Sequence, residues 1–251
     1  MTEAKLIPIS KWTKYCILQT QLNLRPYLPE THPFSPSSLM RMLQEHSRVV
    51  VKTELGEGGS EVLFIHRRKR GFTLREQAKR AHVRNFRELI DRLPVFVRRE
   101  PCIVQRYVTL QKMYGRPTDI RMIIQKNERN FFEVTGTFVK VAKPHMLITN
   151  VKQGGTIDTL SQYLTHCYPQ TEEKVQLIQR ELYLVSQRIG DILGTKYKNV
   201  LYGIDFGLSQ NGHPYILEIN TKPSLSILSE IDIAMHKRAL ELRKFHQSAD
   251  T

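Results

Sequence analysis

Apolar and polar residues alternate through residues 201–208 (LYGIDFGL) and 214–220 (PYILEIN), on either side of the polar stretch SQNGH. Period-two alternation marks strands with one face on a core. Asn211-Gly212 is a strong hairpin signal, because a two-residue type I′ turn needs positive φ at both central positions. Counting outward from such a turn pairs Gln210 with His213, Leu208 with Tyr215, Phe206 with Leu217 and Ile204 with Ile219. Beyond the polar tip that face is apolar and belongs on a core. The other face sets Asp205 opposite Glu218 and Gly203 opposite Asn220. Glu218 and Asn220, two apart on one strand, share a side.

The rest of the pattern predicts further elements. Residues 11–29 form a helix ended by Pro26 and Pro29, and a short helix capped by Ser37 or Ser38 runs through Glu45. Residues 48–55 (RVVVKTEL) and 61–66 are strands joined at Gly56-Glu57-Gly58-Gly59-Ser60, a hairpin with a glycine-rich tip. Residues 73–93 suit a helix whose inner stripe is Ala78, Ala81, Phe86, Leu89, Ile90 and Leu93. Strands follow at 101–108, 119–125 and 131–141. Between 172 and 193 the apolar residues recur in steps of three and four, a helix for which Gly194 is a C-cap. A last helix covers 231–245. Helices and strands are interspersed and hairpins dominate, so the expected class is α+β with antiparallel sheets.

The 251 residues suffice for a large single domain or two lobes. No apolar run approaches the roughly 20 residues that cross a bilayer, and the N-terminus lacks the apolar segment of a signal peptide. Cys16, Cys102 and Cys167 are too few and too scattered for a disulfide framework or a zinc site. The expectation is a reduced, cytoplasmic protein with no membrane partner. A net charge of +14, from 38 Lys+Arg against 24 Asp+Glu, favours acidic partners without choosing among nucleotide, nucleic acid and anionic polymer. The densest basic stretch is His66-Arg67-Arg68-Lys69-Arg70.

Candidate chemistry concentrates in the hairpins. Carboxylates directly opposite on paired strands repel, and a divalent cation would relieve Asp205 and Glu218. With the amide oxygen of Asn220 they make a hard-oxygen set suited to Mg²⁺. A solvated face carrying two unrelated acids is the plainer alternative. Lys52 interrupts a valine-rich strand, and an ammonium buried without a partner is costly. The glycines after it let backbone N–H groups approach phosphate oxygens, although the spacing of a P-loop is absent.

Lys52, GEGGS, VQRYV, TDIR, TN…GG and GIDFGL…YILEIN together resemble the ATP-grasp superfamily. Within it the chain is similar to the YheC/YheD-type proteins of endospore-forming bacteria, described as spore-coat-associated. The resemblance implies two lobes, 1–104 and 105–251, whose antiparallel sheets clasp ATP with Mg²⁺ or Mn²⁺. It makes Asp205, Glu218 and Asn220 the metal ligands and directs Lys52 at the α/β-phosphates. Gly56, Glu57, Gly58, Gly59 and Ser60 would fold over the triphosphate. Gln105, Arg106, Tyr107 and Val108 would form a hinge meeting adenine through main-chain groups. Lys11 would reach ATP, with Lys14 as competitor. Arg121 and Lys140 would face the γ-phosphate and the reacting carboxylate, and Asn150 would support that region. Two alternatives stand beside these roles: Arg121 as a structural partner of Asp119 or another acid, and Lys140 as a solvated strand lysine.

The implied activity is carboxylate–amine ligation through an acyl phosphate, on an unidentified acid and amine that could be anionic. Nucleic acid is not an expected partner. Two features depart from the family pattern: the chain begins almost at the ATP-grasp core, and Gly203 stands where the D-alanine-ligase branch has an arginine. The nucleotide half of the reaction is therefore carried over more fully than the acceptor half. Two rivals remain. Asp205-Phe206-Gly207 spells a kinase metal motif, but kinases place the glycine loop before the lysine and need an HRD loop, absent here. A non-catalytic coat or anion-binding protein that retains an ATP site is the other.

Overall fold

The computed structural model describes residues 9–56, 61–169 and 172–249. The chain divides into two units, residues 1–25 with 30–107 and residues 26–29 with 108–251. Strand 102–106 pairs within the first unit, so the division falls after Tyr107 rather than after Val104.

The first unit is an antiparallel sheet built from β1 (Thr31–Pro33), β2 (Arg48–Thr53), β3 (Val62–Arg67), β4 (Phe72–Glu76), β5 (Lys79–Val83) and β6 (Cys102–Arg106). Their order is β1-β6-β2-β3-β4-β5. Along β2, Val49 and Val51 alternate with Val50 and Lys52, so the valines at 49 and 51 enter the core and Lys52 stands on the opposite face. The core face holds Leu63, Ile65, Leu74 and Val104 against Leu39, Met42 and Leu43 of helix α2 (Pro36–Glu45). Ser35, not Ser37 or Ser38, is the N-cap of α2, and Ser38 answers it in a reciprocal capping box. The helix α1 (Lys11–Gln19) ends well before Pro26, and a 3-10 turn occupies Arg25–Tyr27.

The helix expected over 73–93 is corrected. Residues 72–83 form the hairpin β4–β5, and only Phe86–Asp91 is helical as α3, followed by α4 (Val95–Arg99). Gln77 makes the turn with φ of 49°, a left-handed conformation that no glycine or asparagine signalled. Sheet pairing with β3 overrides the helix propensity of Glu, Gln, Ala and Lys there.

In the second unit the strands are β7 (Lys112–Met113), β8 (Arg116–Lys126), β9 (Phe132–Val141), β10 (Thr156–Asp158), β11 (Leu201–Leu208) and β12 (Pro214–Asn220). The main order is β10-β9-β8-β11-β12, with β7 on β8. Between β10 and β11 run α5 (Leu160–Cys167) and α6 (Glu172–Lys196). Helix α6 buries Ile178, Leu182, Val185 and Ile189 of the predicted stripe, leaves its Val175 and Ile192 half-buried, buries Leu193 as well, and continues through Gly194 instead of ending there. A side chain at Gly194 would strike the Phe132 ring, so close packing explains this glycine. Helices α7 (Leu228–Ile231) and α8 (Ile233–Ala249) bring Leu228 and Ala239 to a second cluster with Ile123 and Phe138. Among the described residues, no helix is long and apolar enough to cross a membrane.

The β11–β12 hairpin keeps Gly203 opposite Asn220, Ile204 opposite Ile219 and Asp205 opposite Glu218. Nearer the tip the expected pairs are corrected: Phe206 faces Ile216, Gly207 faces Tyr215 and Leu208 faces Pro214. The turn is not a two-residue one. Gly212 N–H donates to Ser209 C=O, Ser209 N–H donates to His213 C=O, and Gly212 has φ of 89°. This is a three-residue loop with glycine in the left-handed position. A bulge after Asp205, with Leu217 as the extra residue, restores the register lost at the turn.

Candidate functional site

The polar face of the second unit's sheet gathers charge by register alone. Asp205 on β11 lies opposite Glu218 on β12 and opposite Arg121 on β8. Asp119, two residues before Arg121 on the same face, lies opposite Lys140 on β9. These placements put two buried carboxylates and two largely covered cations side by side.

Arg121 Nε and Nη2 donate to Oδ1 and Oδ2 of Asp205, the second at 2.8 Å. Lys140 Nζ lies 2.8 Å from Asp119 Oδ1 and 3.2 Å from Asp205 Oδ1, bridging the acids. Thr149 Oγ1 donates to the other oxygen of Asp119. Asn220 Nδ2 stands 3.5 Å from Asp205 Oδ2. Arg121 is therefore a partner of Asp205 and not of Asp119, and Lys140 is not a solvated lysine.

Burial would raise the Asp205 carboxyl, but the charges of Arg121 and Lys140 outweigh it and hold the group below the ordinary carboxylate range. For Asp119 burial wins. It pushes the carboxyl up to about 7, with Lys140 opposing and Asp205 adding to the rise. Lys140 is held above its usual range, because the two acids overcome its desolvation. The repulsion expected between Asp205 and Glu218 is thus answered within the sheet itself.

Gly203 sits beside this cluster under close cover. A Cβ there would lie 2.7 Å from Pro223 Cβ and 3.1 Å from Arg121 Nη1. Arg121 and Pro223 fill the space that a side chain at 203 would need. Asn150 starts a 3-10 turn at Val151–Gln153, and its C=O accepts the N–H groups of Gln153 and Gly155.

In the first unit Lys52 is half-buried and donates to Gln105 Oε1 at 3.0 Å. Gln105 Nε2 in turn donates to Thr31 Oγ1 at 2.8 Å. Sequence reasoning gave the Gln105 side chain no role. The cue lay in cross-strand pairing: Gln105 is the partner of both Thr31 and Val50. Lys11 opens α1 and its Nζ donates to Gly56 C=O, while its N–H donates to Glu54 C=O. Lys14 is buried on the same helix. Gly56 therefore meets Lys11; Glu57, Gly58, Gly59 and Ser60 lie outside the described residues. Arg106 N–H donates to Glu30 C=O and Tyr107 N–H to Arg48 C=O. Val108 falls in the second unit. Asp119 and Thr149 are the site residues that sequence reasoning missed as participants. Asp119 carried a signal, a second acid on the face of Arg121; Thr149 carried only its place in the TN…GG pattern.

Residues 6–246 match the YheC/D-like ATP-grasp family. The chain belongs to that family. It is 24% identical over 252 residues to the endospore coat-associated protein YheD of Bacillus subtilis, covering 94% of this chain and 54% of the relative. The endospore coat-associated protein YheC of the same organism is 25% identical, over 85% of this chain and 59% of its own length. The chain thus spans little more than half of these relatives. Its fold is the ATP-grasp fold: N5-carboxyaminoimidazole synthetase from Staphylococcus aureus, solved with ADP, superposes with a TM-score of 0.55. That likeness has 10% identity and covers 91% of this chain and 49% of the other.

Proposed function

We propose that this YheC/D-like ATP-grasp protein binds ATP with Mg²⁺ and joins a carboxylate to an amine through an acyl phosphate. The carrying observation is the cluster of Arg121 and Lys140 with Asp205, beside Glu218 and Asn220, on one sheet face. A substrate carboxylate oxygen attacks the γ-phosphorus and ADP leaves. The amine nitrogen then attacks the acyl carbon, inorganic phosphate leaves, and the amine gives up a proton. No side chain need act as nucleophile; positioning and charge neutralisation suffice.

Two carboxylates on paired strands, with an amide two residues along that would turn its oxygen inward from its present Nδ2 contact with Asp205, suit a hard divalent cation. Asp205 would hold it together with Glu218 and Asn220. Because Arg121 and Lys140 already balance Asp205, a further cation there is favoured only with the negative charge of a polyphosphate. The metal would neutralise phosphate charge. Arg121 and Lys140 would orient the transferred phosphoryl group and the attacking carboxylate. In the first unit Lys52, set by Gln105, would contact the α/β-phosphates, and Lys11 would steady the start of the glycine loop at Gly56. Gln105, Arg106 and Tyr107, with Val108, would meet the adenine. The coat association named for the two Bacillus relatives extends to this chain as part of the same proposal.

The test is release of ADP and phosphate from Mg-ATP during incubation with pooled amino acids and short peptides, with amide products sought by mass spectrometry. Turnover that needs both an acid and an amine supports ligation. Label transfer to a hydroxyl would instead identify a phosphotransferase, and ATP binding without turnover on any pool would favour a non-catalytic protein.

A further inference from the structure

Away from the nucleotide-facing residues, the first unit draws Glu30, His32, Glu45 and His46 together. Glu30 precedes β1, His32 lies within β1, and Glu45 and His46 end α2. His32 Nε2 is 2.8 Å from Glu30 Oε1, and His46 Nε2 is 2.7 Å from Glu30 Oε2. Ligand atoms of Glu30, Glu45 and His46 lie within 4.8 Å of one another, the one such group of His, Cys, Asp or Glu among the described residues. Two imidazoles therefore present the same ring nitrogen toward one carboxylate, with a second carboxylate alongside.

From this geometry we propose that Glu30, Glu45 and His46 form a site for a borderline-soft divalent cation, Zn²⁺ or a close analogue, with His32 holding Glu30 by its other oxygen. Mixed imidazole and carboxylate donors suit Zn²⁺, Co²⁺ and Ni²⁺, and Mg²⁺ poorly. The chain has 38 Lys and Arg, yet the Glu30 carboxylate leans on His46 first and His32 next. The donors are held from behind. Arg106 N–H donates to Glu30 C=O at 2.8 Å, and His46 N–H to Met42 C=O at 2.8 Å. Glu45 and His46 also stand at the C-terminal end of α2, where the helix carbonyls favour positive charge. Glu30, His32 and His46 are each partly open to solvent, so an ion can enter and leave.

A bound ion would tie the end of α2 to β1. Glu30 and His32 bracket Thr31, which accepts from Gln105, the residue that also holds Lys52. The site would therefore anchor the strand on which that chain of hydrogen bonds ends.

The experiment is calorimetric titration of the full chain with ZnCl₂ in excess MgCl₂, which occupies hard-oxygen sites without competing for imidazole. One saturable equivalent is expected, together with visible d–d absorption when Co²⁺ replaces Zn²⁺ and a melting temperature raised by the ion. Glu30→Gln and His46→Gln should each weaken binding at least about tenfold, while His82→Ala, an exposed histidine on β5, should bind as wild type does. Should the first two variants fail to fold by circular dichroism, Glu45→Gln decides, since Glu45 is exposed at a helix end. No saturable zinc binding, or wild-type affinity in the folded ligand variants, would overturn the proposal.

Discussion

Arg121 and Asp205 are direct cross-strand partners, and the guanidinium holds both oxygens of the carboxylate. Asp205 is buried and Arg121 largely so, at 7% and 14% side-chain exposure. Removing one partner of a buried pair leaves an uncompensated charge and costs several kcal/mol. Arg121→Met should therefore destabilise the protein by about 3 kcal/mol, the low end for such pairs, because Lys140 still faces Asp205. Urea unfolding measures it. A loss below about 1 kcal/mol would mean that Asp205 takes up a proton or finds another partner.

Glu218 is partly exposed and lies outside the Arg121–Asp205 clasp. Glu218→Gln should leave the apo protein within about 1 kcal/mol of wild type, while weakening Mg²⁺-dependent ATP binding and abolishing turnover. Melts without metal, calorimetry with Mg-ATP and ADP release read these quantities. Strong destabilisation in the absence of metal would make the carboxylate structural.

Lys52→Met keeps the bulk of the stem and removes the charge. A lost charge-assisted contact to phosphate is worth roughly 1.5–3 kcal/mol, about 10- to 150-fold in ATP affinity. Adenosine should bind both proteins alike. Equal ATP affinity would take Lys52 away from the phosphates and leave its bond to Gln105 as its whole role.

Gly203→Ala places a methyl group 2.7 Å from Pro223 Cβ and 3.1 Å from Arg121 Nη1. Overpacking of this kind costs about 1–3 kcal/mol. Because the relief must come partly from Arg121, turnover should fall further than stability predicts. Paired measurements of urea midpoint and ADP release test this, and a fully active Ala variant would show that Arg121 has room to move without consequence.

Asp119 gives a pH signature. Burial raises its carboxyl from 3.8 to about 7, so between those values the folded protein keeps a proton that the unfolded chain has lost. The stability this group contributes is full below the lower value, falls as pH rises toward the upper one and is flat beyond. Asp205, held low, acts in the opposite sense, and its contribution is lost only under acid conditions. Asp119→Asn should remove the neutral-range slope and leave the acid limb. Urea midpoints of both proteins across that interval would show it; parallel curves would count against a protonated Asp119.

Much of this was legible because register is local. Asp205, Glu218 and Asn220 could be placed by counting along two strands, and Lys52 stood out as a cation among valines. Arg121 and Lys140 came from family likeness alone, since nothing in the sequence tells which strand neighbours β11; the order β9-β8-β11 supplies their meeting with Asp205. Thr149 and the Glu30–His46 contact join residues that only tertiary structure brings close. The hairpin at 72–83 was hidden because its turn residue, Gln77, adopts a left-handed conformation under pressure from strand pairing.

The site's spacing in the β11–β12 hairpin survives through two offsets of opposite effect, a loop of three residues and an extra Leu217. Strand pairing has a parity, and each offset alone reverses it. At the present chain length, a two-residue loop with the bulge kept would set Glu218 opposite Phe206, and a three-residue loop without the bulge would set it opposite Ile204; either slip carries Glu218 and Asn220 to the far side of the sheet. Deleting Leu217 alone would instead leave an unbroken ladder, with Ile216 still opposite Phe206 and Glu218 still opposite Asp205. A one-residue loss at the bulge is therefore neutral in register, whereas sliding the turn at constant length is not, so the bulge and the loop guard the facing of Glu218 and Asn220 together.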